Sequence, residues 1–153
     1  MQAERDRHAV PLATGIVSYP PISVATMKPQ LNAIGVVVSD MARTLEFYRQ
    51  FGLEFKGEGD DHYECELPGG TRLMLDTAEL VESLYEGWRP PTGGHRVGFA
   101  FQFDSPAEVD AKFAEVTASG APSLREPLDA FWGQRYACVL DPNGNAVDLY
   151  AAL

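Results

Sequence analysis

The sequence has little cysteine, little histidine and few basic residues. Its two cysteines, Cys65 and Cys138, fall in separate predicted strands and supply no disulfide framework. Reduced thiols in a cytoplasmic protein are the simplest expectation. Lys and Arg number 12 against 22 Asp and Glu, for a formal charge of −10 and a pI near 4.6. That balance excludes the basic patches through which proteins hold nucleic acid or anionic membrane surfaces. No apolar run reaches the roughly 18 residues a membrane-spanning helix needs. There is no G-x-S-x-G turn, no Gly-rich phosphate loop, and no His at a suggestive spacing from either Cys. Nucleophilic catalysis and phosphate-loop chemistry therefore have no motif to rest on.

What is present suffices for one domain or two small modules sharing a core, with 45% apolar residues in 153. The first 28 residues stand apart. Pro11, Pro20 and Pro21 interrupt their apolar stretch, Glu4 and Asp6 dilute its charge, and regular periodicity starts only after Met27. We expect residues 1–28 to be a disordered N-terminal extension.

From Leu31 one plan is written twice. LNAIGVVVS (31–39) is β-branched and predicts a strand. Asp40 is placed to cap the helix MARTLEFYRQF (41–51), which Gly52 stops. LEFKGE (53–58), HYECEL (62–67) and TRLMLD (71–76) read as strands separated by the turn signals GDD and PGG. In the second half, RVGFAFQF (96–103) alternates Val97, Phe99, Phe101 and Phe103 with small or polar residues. This predicts a strand whose aromatic face meets a helix. Ser105, Pro106 and Glu108 spell a capping box for the helix that Gly120 ends. Strands around PSLREP, QRYACVL and AVDLY follow, and 67–76 echoes 141–150 with Pro68 on Pro142, Gly70 on Gly144 and Met74 on Asp148. The expected fold is α+β: two βαβββ modules, about 31–76 and 96–153, with curled mixed sheets forming a cleft. Residues 77–95 form the linker, where Tyr85 and Trp88 are placed to close over the cleft or cover an interface.

Three stretches, VVVSDMARTLEFYRQFGLEF, GFAFQFDSPAEVDAKFAEVTASG and above all DAFWGQRYACVLDPNGNAVDLY, resemble the vicinal oxygen chelate superfamily of glyoxalases, bleomycin-resistance proteins and ring-cleaving dioxygenases. The resemblance covers about Leu31 to Leu153. It implies two βαβββ modules around a cleft, a homodimer, and either a divalent metal in the cleft or a drug-type ligand without one. The metal-ligand positions it implies fall on Ala33, Met74, Gly98 and Asp148. Ala and Gly offer no donor and Met only a soft thioether, so one Asp is left where a catalytic zinc needs three protein ligands.

The leading expectation is therefore a glyoxalase-like protein that binds a small molecule without a metal cofactor. Asp148, Arg135, Trp132, Tyr150, Met74 and Gln102 are its expected ligand contacts. Arg135 and Asp148, on adjacent predicted strands, would set polarity, either as a clamp for a polar or anionic ligand or as a self-satisfied pair. The alternative is a metal-dependent lyase or dioxygenase using His62, Glu64 and Asp148; a solvated His62/Glu64 strand face is the bland counterpart. Whether the chain is an enzyme at all, as a lyase, isomerase or dioxygenase, stays open at this point.

Overall fold

β-branched and aromatic runs at the predicted places form the strands that a computed structural model describes for residues 29–95 and 97–153. The expectation for 1–28 lies outside the described residues. Leu31–Leu153 make up one compact unit. Strand β1 (Ala33–Val38) leads into helix α1 (Met41–Arg49), whose first turn is closed by the Asp40 carboxylate accepting from Arg43 N–H. Strands β2 (His62–Glu66) and β3 (Arg72–Thr77) follow. The linker is not wholly irregular. It contains helix α2 (Ala78–Leu84), capped by the Thr77 hydroxyl. Strand β4 (Gly98–Gln102), helix α3 (Pro106–Ala118) and strands β5 (Ser123–Ala130), β6 (Gln134–Leu140) and β7 (Ala146–Ala152) complete the second module. The capping box is formed as the letters require, Ser105 and Glu108 each serving the other's backbone N–H.

The fold is α+β, with two mixed sheets that do not close: β1-β3-β2 and β4-β7-β6-β5. In each, the module's first strand runs parallel to its last. The expected strand over 53–58 shrinks to a single bridge between Lys56 and Glu64. Gly57 follows that bridge at once, and the turn-forming GDD then takes the chain back into β2.

Side-chain parity sorts each sheet into two faces. Val36, Val38, Leu73 and Leu75 are buried on the inner face of the first sheet, against Leu45 of α1. Val139, Val147, Leu149 and Ala137 are buried on that of the second, against Val109 and Val116 of α3. Phe47 and Tyr48 of α1 join this second cluster, and Phe99 packs on both, so the modules share a core. Burying a large apolar side chain contributes about 1.5–3 kcal/mol, and most of that burial lies on these inner faces. The outer faces are left for polar residues. No helix among the described residues is long and apolar enough to cross a membrane.

Candidate functional site

Register determines what shares the outer face of the second sheet. Ala100, Asp148 and Cys138 form one row, which Arg125 of β5 extends, and Gln102, Tyr150, Tyr136 and Leu128 form the next. Gly98, Ala100 and Gln102 are exposed, whereas Asp148 and Tyr150 are half-buried. The Tyr136 hydroxyl donates to Asp148 Oδ1 at 2.9 Å, a diagonal contact between adjacent strands. Trp132, in the β5–β6 turn, meets Tyr136 edge-on at 5.4 Å between centroids and donates its indole N–H to Gln134 Oε1. Three of the expected contacts, Asp148, Tyr150 and Gln102, thus share one face, with Trp132 at its end.

Asp148 acts on the titrating groups beside it on this face. Burial raises the Tyr136 phenol well above its ordinary range, and the hydrogen bond to Asp148 and that carboxylate's charge raise it further. Burial, then Asp148, push the Cys138 thiol up to about 12. Cys138 is therefore a neutral, unreactive neighbour rather than a nucleophile. Both cysteines are free and buried.

Arg135 is elsewhere, and the expected Arg135–Asp148 pairing is corrected. Its partner in register is Ala151, so its side chain leaves from the inner face. There it grips Asp110 of α3 through Nε and Nη2, at 2.8 and 3.0 Å, and Asp129 through Nη1 at 3.0 Å. Arg135 and Asp148 are an odd number of residues apart across this register, which puts them on opposite faces whatever their attraction. Arg125, opposite Cys138, is the arginine in Asp148's row, and neither it nor Tyr136 is among the contacts expected from sequence. The alternation of QRYACVL did hold the signal for Tyr136, had the β6–β7 register been known.

Met74 belongs to the first sheet, between Gly35 and Glu64 in register. Ala33, Met74 and Gly98 give Asp148 no fellow ligand. In its own sheet Asp148 is flanked by Ala100 and Cys138, with Tyr136 on one oxygen. Of the alternative set, His62 and Glu64 lie on β2 of the first sheet and Asp148 on β7 of the second. Among the described residues no three His, Cys, Asp or Glu side chains are grouped so as to hold a metal ion. Among the described residues, those around Asp148 do not make up a metal-ligand set.

The outer face of the first sheet has its own polar group. His62 Nδ1 lies 2.6 Å from Asp76 Oδ1, and Arg72 Nη1 donates to Glu64 Oε2 at 2.8 Å. Beside it, along the open edge of β1, a groove of about 440 Å³ is lined by Gly35, Val37, Val97, Phe99, Trp88 and Pro90 among others. Trp88 is one of the residues lining this groove, while Tyr85 is exposed.

A family model described as Glyoxalase/Bleomycin resistance protein/Dioxygenase superfamily matches residues 30–149. Among solved structures, a glyoxalase/bleomycin resistance protein/dioxygenase from Nocardioides is 24% identical, with a TM-score of 0.67 over 85% of this chain and 87% of that one. A glyoxalase/bleomycin resistance protein/dioxygenase family enzyme from Burkholderia phytofirmans PsJN is 20% identical, with a TM-score of 0.72 over 82% and 100%. A glyoxalase-related enzyme from Fulvimarina pelagi is 18% identical, with a TM-score of 0.70 over 80% and 87%. At these identities the structures show a shared fold. Among curated proteins none matches the chain.

Proposed function

The chain belongs to the Glyoxalase/Bleomycin resistance protein/Dioxygenase superfamily, and on that premise we propose that it binds a small molecule on the outer face of the second sheet, without a metal. The Tyr136–Asp148 hydrogen bond carries this reading. It presents a carboxylate whose Oδ1 is held by Tyr136, with Cys138 as its other polar neighbour and Oδ2 offered to a ligand's donor. Ala100 and Gly98 leave room above the sheet, where larger residues would fill it. Tyr150 and Trp132 offer aromatic surface, Gln102 an amide, and Arg125 a cation at the far end of Asp148's row. A flat, polar ligand with an N–H or O–H donor matches that arrangement. With Arg135 committed to Asp110 and Asp129, a purely anionic ligand loses the partner first expected for it.

The same proposal includes a homodimer, supported by Phe131, 97% exposed beside the half-exposed Trp132 on the β5–β6 turn. Apolar side chains that water would otherwise surround are the usual material of such contacts.

The test is a thermal-shift screen of donor-bearing aromatic compounds, run with and without chelator, with sedimentation velocity to read the oligomer. A ligand that raises the melting temperature equally in both conditions, and no longer does so with Asp148→Asn, is the expected result. Stabilisation that needs added zinc, iron, manganese or nickel would replace this reading with the metal-dependent one.

A further inference from the structure

The first sheet's outer face carries a group that the second-sheet site does not use. The backbone N–H and C=O of Glu64 pair with Lys56, and Thr77 N–H reaches Asp61 C=O. His62/Asp76 and Glu64/Met74 are therefore the non-hydrogen-bonded pairs of the β2–β3 ladder, where opposed side chains come closest. Asp76 accepts at His62 Nδ1, 2.6 Å away. A carboxylate can only accept, so the neutral ring carries its hydrogen on Nδ1 and keeps the lone pair on Nε2. Nε2 stands 3.7 Å from Glu64 Oε2, beyond hydrogen-bond reach, and that oxygen is already held by Arg72. The His62 side chain is 41% exposed. The result is an oriented imidazole whose Nε2 makes no hydrogen bond with the described residues.

Its surroundings suit a ligand. Val37, Asp76 and His62 form one row of the sheet, with Gly35, Met74 and Glu64 in the next. A Cβ on Gly35 would lie 3.7 Å from Asp76 Oδ2 and 3.8 Å from Met74 Cε, so the missing side chain opens the face beside the pair. Gly35 and Val37 also line the apolar groove, which puts hydrocarbon-binding room at the β1 end of the imidazole's row, across β3 from His62. Arg72 of β3 and Lys56, bridged to Glu64, are the cations bordering the site.

We propose that His62 is a general base, positioned by Asp76, that hydrolyses small apolar esters on the first sheet. The side chains bordering the imidazole in these rows hold no hydroxyl or thiol, so water is the nucleophile. Water's oxygen attacks the acyl carbon as its proton passes to His62 Nε2, and the oxyanion forms on the side of the two cations. The acyl–oxygen bond then breaks, and the leaving alcohol recovers the proton from Nε2. No oxidant or metal enters the balance. Asp76 acts through His62 and is a positioning residue.

The probe is 4-nitrophenyl acetate with the full chain, followed by nitrophenolate release. Turnover should exceed that of the same concentration of free imidazole by about 10²-fold, the scale of positioned base catalysis. His62→Ala and His62→Gln should both lose it, with added imidazole restoring the Ala variant, and Asp76→Asn should lower kcat with KM unchanged. Circular dichroism confirms that each variant is folded. A rate no better than imidazole, or one that survives in either folded His62 variant, overturns the proposal. So does failure of imidazole to restore a folded His62→Ala. None of these outcomes bears on the second-sheet ligand screen, so the two readings stand or fall separately.

Discussion

The Tyr48 hydroxyl donates to Asp141 Oδ2 at 2.6 Å, joining the first module's helix α1 to the second module's β6–β7 turn across 93 positions of sequence. Tyr48 is fully buried and Asp141 is 3% exposed. Among the described residues the carboxylate is otherwise held by N–H groups alone, from the Asn143 and Asn145 backbones and the Asn145 amide. Ser39 and Thr44 add bonds to the Asn143 side chain. The two modules are thus fastened through one satisfied buried acid.

Removing the hydroxyl should loosen that fastening. Tyr48→Phe leaves the buried Asp141 without the hydroxyl that reaches it among the described residues, at a cost of about 1–3 kcal/mol. A urea titration should show a lower midpoint at unchanged slope.

Alkali should act on the same structure. Burial raises the Tyr48 phenol far above its ordinary 10.0, and the Asp141 charge and hydrogen bond raise it further. A raised pKa means stability that is complete below the unfolded value and lost as pH climbs toward the folded one. For Cys138 the window runs from 9.0 to about 12, and for Tyr48 it opens at 10.0 and extends upward. Melting temperature should therefore fall progressively above pH 9–10. Tyr48→Phe and Cys138→Ala should each flatten part of that slope.

Gly57 permits the close approach that brings the chain back alongside β2. A Cβ there would collide with the His62 carbonyl and lie 2.8 Å from the Tyr63 ring. Gly57→Ala should cost about 1–3 kcal/mol through overpacking and displace β2. Urea unfolding measures the first effect. Chemical shifts of the His62 ring report the second.

Arg135 distinguishes the two faces of the second sheet. Arg135→Gln breaks a bidentate contact to Asp110 and should lower the melting temperature. Affinity for any ligand stabilising the protein through Asp148 should change by less than about threefold, since Arg135 points to the opposite face and shares no partner with Asp148. A large affinity loss in calorimetric titration would return Arg135 to the binding site.

Much of this molecule was legible because its signals are local. Asp40 and Ser105/Glu108 cap their helices as their letters dictate, and alternation in 97–103 put Phe99 and Phe101 inward and Gly98 and Ala100 outward. The repeat of 67–76 in 141–150 also holds: both are Gly-closed turns, with positive φ at Gly70 and Gly144, leading into the strand that pairs in parallel with its module's first. By that same offset His62 corresponds to Tyr136, and each sets a proton donor against an acid on its sheet's outer face. Local signals fared less well at 53–58, where strand-forming letters gave a single bridge, and at 78–84, where a short helix stands within the predicted loop.

The sequence by itself determined the two-module plan, the helix caps and the alternation of side chains along each strand. Period, capping chemistry and turn glycines act over a few residues and need no distant partner. Only the tertiary structure decided what stands beside what. The β6–β7 register sent Arg135 to Asp110 and set Tyr136 against Asp148, and the β2–β3 register placed His62 on Asp76. Packing of α1 against the second module brought Tyr48 to Asp141. A one-residue slip in pairing exchanges the faces of a strand while leaving its alternation intact. Cross-strand chemistry is therefore set by register, which the strands' own letters leave open.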